Sequence, residues 1–183
     1  MKIISFDDLA GAVAELVQET NRYLPGDVLR SLIAARERED SETARTILDQ
    51  LIENARIAAE DDFPLCQDTG VAVFFIECGE AVRVGGNGIE AAIQEGTRKG
   101  YLEGGHRLSV VRDPLRRANT GDNTPAIIHC RIVPGSRLRV WFCPKGGGAE
   151  NMSRLAMLTP GEGREGVIRF VTGAVREGGG KPC

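Results

Sequence analysis

Apolar side chains recur every three or four residues through the first sixty positions, a spacing typical of amphipathic helices. Ser5 precedes the first periodic stretch and suits a helix N-cap. Pro25 and Gly26 interrupt the pattern, and Ser41 precedes a further periodic stretch. The pattern therefore predicts three helices, which we treat as a helical leader over residues 1–63.

From residue 64 onward the pattern changes to short runs of β-branched and aromatic side chains. Residues 71–78 are almost continuously apolar, which predicts a buried strand. Residues 126–133 and 137–143 predict two more strands, and Pro134–Gly135 between them fits the centre of a type II turn, so we expect a hairpin. Two helices are predicted at 89–101 and 165–177, the second with Val167, Ile168, Val171, Ala174 and Val175 facing inward.

These elements predict an α+β fold in which N-terminal helices precede a mainly antiparallel sheet flanked by helices. The chain has 183 residues, which suits a single domain with the leader followed by an α/β portion over 64–183. Hydrophobic residues make up 42% and charged residues 27% of the sequence, a balance that supports a globular core.

Charge and hydropathy exclude several classes of partner. The net charge is -3 and the basic residues form no block, so we expect no nucleic-acid partner. No run approaches the roughly 20 apolar residues that span a bilayer, so we expect no membrane segment. The first six residues lack a basic region followed by an apolar run, which argues against a secretory signal and predicts a cytoplasmic location.

The five cysteines are an odd number, and no secretory signal is predicted, so a disulfide framework is disfavoured. No Cys-x-x-Cys pair is present, which disfavours a compact structural zinc site. A bound metal would therefore need ligands that converge from distant segments. Cys78, Cys130 and Cys143 lie in or at the ends of predicted strands, which favours core positions, and a buried thiol is also open for Cys66.

Three segments rich in glycine and polar side chains coincide with strand ends. Residues 66–70 precede the strand at 71, residues 119–125 precede the strand at 126, and residues 145–151 follow the strand that ends at 143. A hairpin would place the second and third segments at one sheet edge, and the first would join them if its strand ran antiparallel to 137–143. Loops on a rigid sheet often carry binding groups. The plain alternatives are a turn at 119–125 and a flexible loop at 145–151.

Taken together, the three segments resemble the signatures of a known family, the class I fumarases and tartrate dehydratases. Residues 64–70 are similar to the first signature, and residues 119–126 and 145–151 to the second and third. Order and spacing also match, and the resemblance covers essentially the whole chain. On this resemblance the chain is identified as the N-terminal (alpha) region of a hydro-lyase that reversibly hydrates fumarate to malate.

The resemblance implies a four-iron four-sulfur (4Fe-4S) cluster held by three cysteines, with one iron open to substrate. It gives Cys66 as the first ligand and Cys183 as the second, while the third is expected outside this chain. It also implies a C-terminal (beta) region or subunit that supplies the general base, and a dimer of alpha–beta units. We expect a shortened alpha portion that is inactive in isolation, because two thiolates cannot supply the usual grip on a cluster.

Elimination of water from a 2-hydroxy acid needs a Lewis acid, a proton donor and groups that hold carboxylates. Asp68 suits the acid that protonates or orients the departing hydroxyl. Gln67 suits a substrate carboxylate, and Arg107 resembles the substrate-binding arginine of the family. The remaining candidates for substrate binding are Asn119, Asp122, Thr124, Lys145, Gly147 and Gly148.

Three other hypotheses stay open at this point. Dehydration of L-tartrate to oxaloacetate is the close rival, because the two hydroxy acids, malate and tartrate, differ by one hydroxyl. A non-catalytic assembly module and a small-anion-binding domain belong to different classes of protein. His129 is expected to be structural, and a role for His106 in its loop is open.

Overall fold

The structure, a computed structural model, describes residues 2–179 and begins with one short strand and three helices. These elements are β1 (Lys2–Ile4), α1 (Phe6–Arg22), α2 (Gly26–Arg38) and α3 (Glu42–Glu60). The chain then continues through β2 (Val71–Gly79), β3 (Val82–Val84), α4 (Gly88–Glu103), β4 (Ile127–Val133), β5 (Leu138–Lys145) and α5 (Gly163–Gly178). All predicted helices and strands are confirmed, and the three-residue strands β1 and β3 were too short for the pattern to indicate.

Serine caps begin two of the leader helices, as the sequence predicts. The Asp8 amide donates to Ser5 Oγ at 3.0 Å at the start of α1. The Ala44 amide donates to Ser41 Oγ at 3.4 Å at the start of α3. Both caps satisfy amides that have no acceptor within their own helix. Helix α2 instead begins after Pro25 with no side-chain cap.

The central sheet has the strand order β4-β2-β5. Strand β2 runs parallel to β4 and antiparallel to β5. The α+β class is confirmed, but the sheet is mixed where a mainly antiparallel one was expected. Strands β1 and β3 pair in parallel as a separate two-stranded sheet.

The predicted hairpin of β4 and β5 is wrong because β2 lies between them. Residues 134–137 cross the end of β2, where the Gly79 amide donates to the Arg137 carbonyl and the Ala81 amide to the Gly135 carbonyl. Four residues reach about 13 Å when extended, which exceeds the roughly 10 Å between strands that flank a third. A Cβ at Gly79 would lie 2.5 Å from the Gly135 oxygen, so glycine allows this crossing.

The core forms where α1 and α4 pack together on one face of the sheet. Val13, Val17, Phe74, Ile93 and Tyr101 are among its fully buried side chains. The two helices approach closely at Gly96 and Gly100, where an added Cβ would collide with Val13 and Val17. Helix α1 of the predicted leader is therefore part of the central core. The domain division at residue 63 stays a prediction.

Helices α2 and α3 pack mainly against each other. Arg36 of α2 pairs with Asp49 of α3 through two hydrogen bonds of 2.9 and 3.2 Å. No residue of α2 is buried, and Val28, Ile33, Ile47 and Leu51 of the pair stay exposed.

The chain divides between Lys145 and Gly146 into two compact units. The second unit contains two 3-10 helices, Gly147–Met152 and Pro160–Glu162, followed by α5. Glu162 accepts from the amide and hydroxyl of Thr159 at 2.7 and 3.1 Å, which fixes the turn before α5. The expected inward face of α5 is wrong for the described residues, because Val167, Ile168, Val171 and Val175 are exposed.

No helix among residues 2–179 combines the length and the apolar character that crossing a membrane requires.

Candidate functional site

The strand register brings two of the three polar segments and Lys145 to one edge of the sheet. Val71, the first residue of β2, pairs with Lys145 at the end of β5. Val73 pairs with Ile127 at the start of β4. The condition that the strand at 71 runs antiparallel to the strand at 137 is therefore met, and the edge is assembled around β2. Gly147 and Gly148 belong to the second unit, where they lie in its first 3-10 helix.

The loop that carries Cys66, Gln67 and Asp68 is anchored to two helices of the leader. The Leu65 amide donates to the Asn21 carbonyl of α1 at 2.7 Å. The Asn54 side chain of α3 donates to the Leu65 carbonyl at 2.9 Å. Gln67 is exposed, Cys66 and Asp68 are half-buried, and the loop then descends into the buried Thr69 and Gly70.

Asp68 points its carboxylate back at the protein through Oδ1. This oxygen accepts from the Gly70 amide at 3.1 Å and from the Ser109 hydroxyl at 3.3 Å. Ser109 lies 41 residues further along the chain, two positions after Arg107. The contact therefore ties the cysteine loop to the arginine segment.

Asn123 is the polar side chain at the centre of the site, and it is fully buried. Its Nδ2 donates to the Gly70 carbonyl at 2.9 Å. Its Oδ1 accepts from the Ser109 and Val110 amides at 2.6 and 3.1 Å. Sequence reasoning selected its neighbours Asp122 and Thr124 and missed Asn123. One property of the residue type could have pointed to Asn123. Asparagine tolerates the left-handed backbone conformation better than most residues, and Asn123 adopts it with φ of 60°.

Tyr101 and Thr69 hold the backbone of Arg107 through a chain of hydrogen bonds. The Tyr101 hydroxyl donates to the Thr69 carbonyl at 2.8 Å, and the Thr69 hydroxyl donates to the Arg107 carbonyl at 3.0 Å. Burial raises the pKa of Tyr101 above its usual value, so the phenol stays a protonated donor at neutral pH. The Arg107 residue itself is exposed on this fixed backbone.

Asn119, Asp122 and Thr124 organise the loop before β4. Asn119 donates to the Leu108 carbonyl and accepts from the Gly121 amide, both at 2.8 Å. Asp122 accepts from the Thr124 amide at 3.0 Å and from its hydroxyl at 2.8 Å. Burial raises the pKa of Asp122, but the hydrogen bonds from Thr124 and Thr120 and the charge of Arg98 together outweigh burial and hold the pKa below its usual value. Contacts of these three side chains with a substrate stay predictions.

The comparison with known proteins assigns a family to this site. Residues 10–183 match the profile of a family described as fumarate hydratase (Fumerase). The chain belongs to the fumarate hydratase family. Its three polar segments all lie within the matched range.

The relatives of this fumarate hydratase family member are named either as tartrate dehydratases or as fumarate hydratases. It is 39% identical over 181 residues to a Methanocaldococcus jannaschii protein provisionally named L(+)-tartrate dehydratase subunit alpha, covering 96% of the chain and 63% of that relative. It is 37% identical over 134 residues to the aerobic class I fumarate hydratase of Escherichia coli K12, covering 69% of the chain and 24% of the relative. An L(+)-tartrate dehydratase subunit alpha of Escherichia coli UTI89 is 28% identical over 167 residues, covering 89% and 54%. The chain thus spans less than two thirds of each relative.

The Cys66 sulfur is accessible to a metal. The side chain is half-buried, the Asp68 amide donates to its Sγ at 3.4 Å, and the thiol donates to Gln67 Oε1 at 3.6 Å. Within residues 2–179 no group of three His, Cys, Asp or Glu side chains lies close enough to hold a metal ion. Cys183 lies outside the described residues. The expected core positions are wrong for Cys130 and Cys143, which are exposed on the edge strands, and Cys78 is half-buried.

Proposed function

We propose that the chain is the alpha part of an iron–sulfur hydro-lyase that reversibly hydrates fumarate to malate together with a C-terminal region or beta subunit. The observation that carries the proposal is the joining of the Cys66–Asp68 loop to the Arg107 segment through Asn123, in a chain of the fumarate hydratase family. This junction supports a site in which the Cys66 thiol, the Asp68 carboxylate and the Arg107 side chain act together.

Cys66 and Cys183 would be two ligands of a 4Fe-4S cluster, with the third outside this chain. The amide contact on Cys66 Sγ supports the first assignment. When bound, such a cluster supplies a Lewis acid for a hydroxyl leaving group. Asp68, two positions from Cys66, is the proton donor or hydroxyl-orienting group of the proposal. The general base is assigned to the C-terminal region.

Arg107 and Gln67 are the proposed contacts of the substrate carboxylates. Both residues are exposed on anchored backbone, which leaves them accessible to a ligand at the sheet edge. Arginine binds a carboxylate through two parallel hydrogen bonds. The other proposed contacts are Asn119, Asp122, Thr124, Lys145, Gly147 and Gly148, the last two through backbone amides.

L-tartrate is the second candidate substrate. The Methanocaldococcus jannaschii relative, which aligns over 96% of this chain, bears the name of a tartrate dehydratase subunit. Two relatives are named as alpha subunits, which supports a beta partner for this chain. A dimer of alpha–beta units and a cytoplasmic location complete the proposal, and the free thiols Cys66, Cys78, Cys130 and Cys143 suit a reducing compartment.

The test is anaerobic reconstitution of the chain with its C-terminal partner, iron and sulfide. Fumarate, malate and L-tartrate are then offered to the wild type, to Cys66→Ser and to Cys130→Ser, a matched control at an exposed thiol. We expect visible-region cluster absorption and turnover of one substrate in the wild type and the control, and loss of both in Cys66→Ser. A well-folded complex that binds no cluster and turns over none of the three would reject the proposal and leave an assembly or anion-binding module.

A further inference from the structure

Four residues of the site form a closed ring of hydrogen bonds. The ring runs from the Asp68 carboxylate to the Gly70 amide, from the Gly70 carbonyl to Asn123, from Asn123 to the Ser109 amide, and from the Ser109 hydroxyl back to Asp68. Its members come from three segments that are far apart in sequence. The ring therefore exists only in the folded chain.

The two ends of Ser109 act differently in this ring. Its backbone amide donates at 2.6 Å to the fully buried side chain of Asn123. This bond fixes the position of the Ser109 backbone. Its hydroxyl projects from that fixed backbone to Asp68 Oδ1. A hydrogen bond to a carboxylate is stronger than one between neutral groups, so the hydroxyl restrains the orientation of the acid.

Two hydrogen bonds restrain the Asp68 carboxylate, one from its own loop and one from the Ser109 segment. An aspartate carboxylate turns about two side-chain torsions, and the torsion that carries the two oxygens is broad. The Gly70 amide and the Ser109 hydroxyl approach Oδ1 from two different segments, which together fill the two acceptor positions of that oxygen. The orientation of the carboxylate is therefore set by the protein before a substrate binds.

We propose that Ser109 is a positioning residue that holds the Asp68 carboxylate in its reactive orientation. The inference rests on the proposed function, in which Asp68 acts on the substrate hydroxyl. A carboxylate that rotates away from the reacting oxygen loses proton transfer without losing substrate contacts made by other groups. Removal of the hydroxyl should therefore lower kcat and leave KM almost unchanged.

Replacing Ser109 by alanine separates positioning from folding. The variant keeps the backbone amide, so the two bonds that Asn123 accepts from Ser109 and Val110 remain. Only the hydroxyl contact to Asp68 is removed. Ser109→Thr retains a hydroxyl at the same branch point and is the conservative rescue, and Ser136→Ala removes an exposed hydroxyl at the opposite end of the sheet as the control.

The experiment compares these variants in the reconstituted complex of the chain with its C-terminal partner. For Ser109→Ala we expect kcat to fall about tenfold or more with KM within about twofold of the wild type, since misplacing a reacting group costs rate before binding. Cluster absorption and the unfolding temperature should match the wild type, while hydrogen exchange at the Gly70 amide should accelerate because its acceptor is released. Ser109→Thr should recover most of kcat.

Three results distinguish this inference from the proposed function. A wild type that turns over none of the three substrates rejects the proposed function itself. An active wild type with an unchanged kcat in Ser109→Ala overturns the positioning role alone. A third result is a Ser109→Ala variant that loses cluster or unfolds at lower temperature, with kcat reduced only as much as the loss of cluster or of folded protein. That result shows that the serine is structural, and it also overturns the positioning role.

Discussion

At the scale of single residues, His106 is the buried titratable group that the site does not use. Its side chain is 5% exposed, and within residues 2–179 neither ring nitrogen finds a hydrogen-bond partner. Tyr101 of α4 contacts the ring edge-on at a centroid distance of 5.8 Å, and Arg22 of α1 adds positive charge nearby. Burial first, and Arg22 second, lower the pKa of His106 below its usual 6.5.

The lowered pKa makes the stability of the fold depend on pH. A histidine with a lowered pKa binds fewer protons in the folded state than in the unfolded state. The wild type is therefore fully stable above the usual value of 6.5 and loses stability as the pH falls from 6.5 toward the lowered pKa. We expect His106→Leu to remove this loss, so its free energy of unfolding exceeds that of the wild type by a growing margin as the pH falls below about 6.5. Denaturant unfolding at several pH values measures the difference, with His129→Leu as the control at the exposed histidine. An equal pH response in both variants would contradict the prediction.

Asn123 and Asn119 form a matched pair for measuring how burial changes the stability lost when an asparagine side chain is removed. Asn123→Ala leaves the buried Gly70 carbonyl and the Ser109 and Val110 amides without that side chain, in a backbone conformation with φ of 60° that alanine adopts poorly. We expect a loss of about 2–4 kcal/mol in the free energy of unfolding. Asn119→Ala, in an exposed part of the same loop, should lose about 1 kcal/mol or less because water replaces the amide. Urea unfolding compares the two, and equal losses would show that burial does not set the cost.

The residues that matter most in the ring were the hardest to predict from sequence. The resemblance to the family selected Cys66 and Arg107, and Asp68 was selected because it lies two positions after Cys66. Asn123 contacts partners 13, 14 and 53 positions away, and Ser109 contacts Asp68 across 41 positions. Such contacts depend on how the strands are ordered, which the linear pattern does not encode.

At the scale of elements, the pattern predicted which segments form helices and strands but not how the strands pair. A short connection containing Pro134–Gly135 favours a hairpin in sequence terms. The continuous apolar run of β2 favours a central position with neighbours on both sides, and it displaces the hairpin in the fold. Because β4 begins and β5 ends at the edge where β2 begins, either arrangement brings the polar segments together. The expected placement of residues 66–70, residues 119–125 and Lys145 at one sheet edge therefore holds despite the wrong pairing.

The close packing of α1 against α4 predicts opposite effects of alanine at two helical glycines. A Cβ at Gly96 would lie 2.5 Å from the Val13 Cβ and 2.6 Å from the Ala10 carbonyl oxygen, whereas a Cβ at Gly11 meets nothing within 4 Å. Gly96→Ala should lose about 1–3 kcal/mol despite the better helix propensity of alanine, because α1 must move away from α4. Gly11→Ala should gain up to about 1 kcal/mol from propensity alone. Thermal unfolding of both variants checks the signs, and stabilisation by Gly96→Ala would show that the helices do not pack this closely.

At the scale of the whole molecule, the two units differ in how their apolar side chains are placed. The first unit buries the periodic side chains of α1 and α4 against the sheet, while those of α2 and α3 stay largely exposed. The second unit repeats helical spacing in α5 but leaves Val171 and Val175 50% and 68% exposed. Periodicity alone thus predicts that α5 is a helix with an apolar face, because the spacing of residues within the helix determines that face. It does not predict what covers the face, because the covering surface is not encoded in the spacing.

The connection between the 3-10 helices of the second unit should be the first site of proteolysis. Residues 153–159 contain no helix or strand, and Leu155 and Met157 are 91% and 90% exposed. Leu115 of the first unit is equally exposed at 91%, but its amide and that of Arg116 donate to Asp113 at 2.9 and 2.6 Å, which holds its loop closed. Cleavage requires backbone that opens locally, and none of the hydrogen bonds described within residues 2–179 involves the amide of Leu155 or Met157, so exposure without such bonds is the deciding property at these two residues.

We therefore expect thermolysin to cut first within 153–159 and to release a fragment that retains the helices and sheet of the first unit. Mass spectrometry identifies the cut, and far-ultraviolet circular dichroism of the large fragment tests whether it stays folded. Replacing Leu155 and Met157 by serine should slow the first cut, while Leu115→Ser should not, because the enzyme prefers apolar side chains on open backbone. A first cut at Leu115 would show that exposure outweighs the Asp113 hydrogen bonds. Loss of helical signal in the large fragment would show that the first unit depends on the second for its stability.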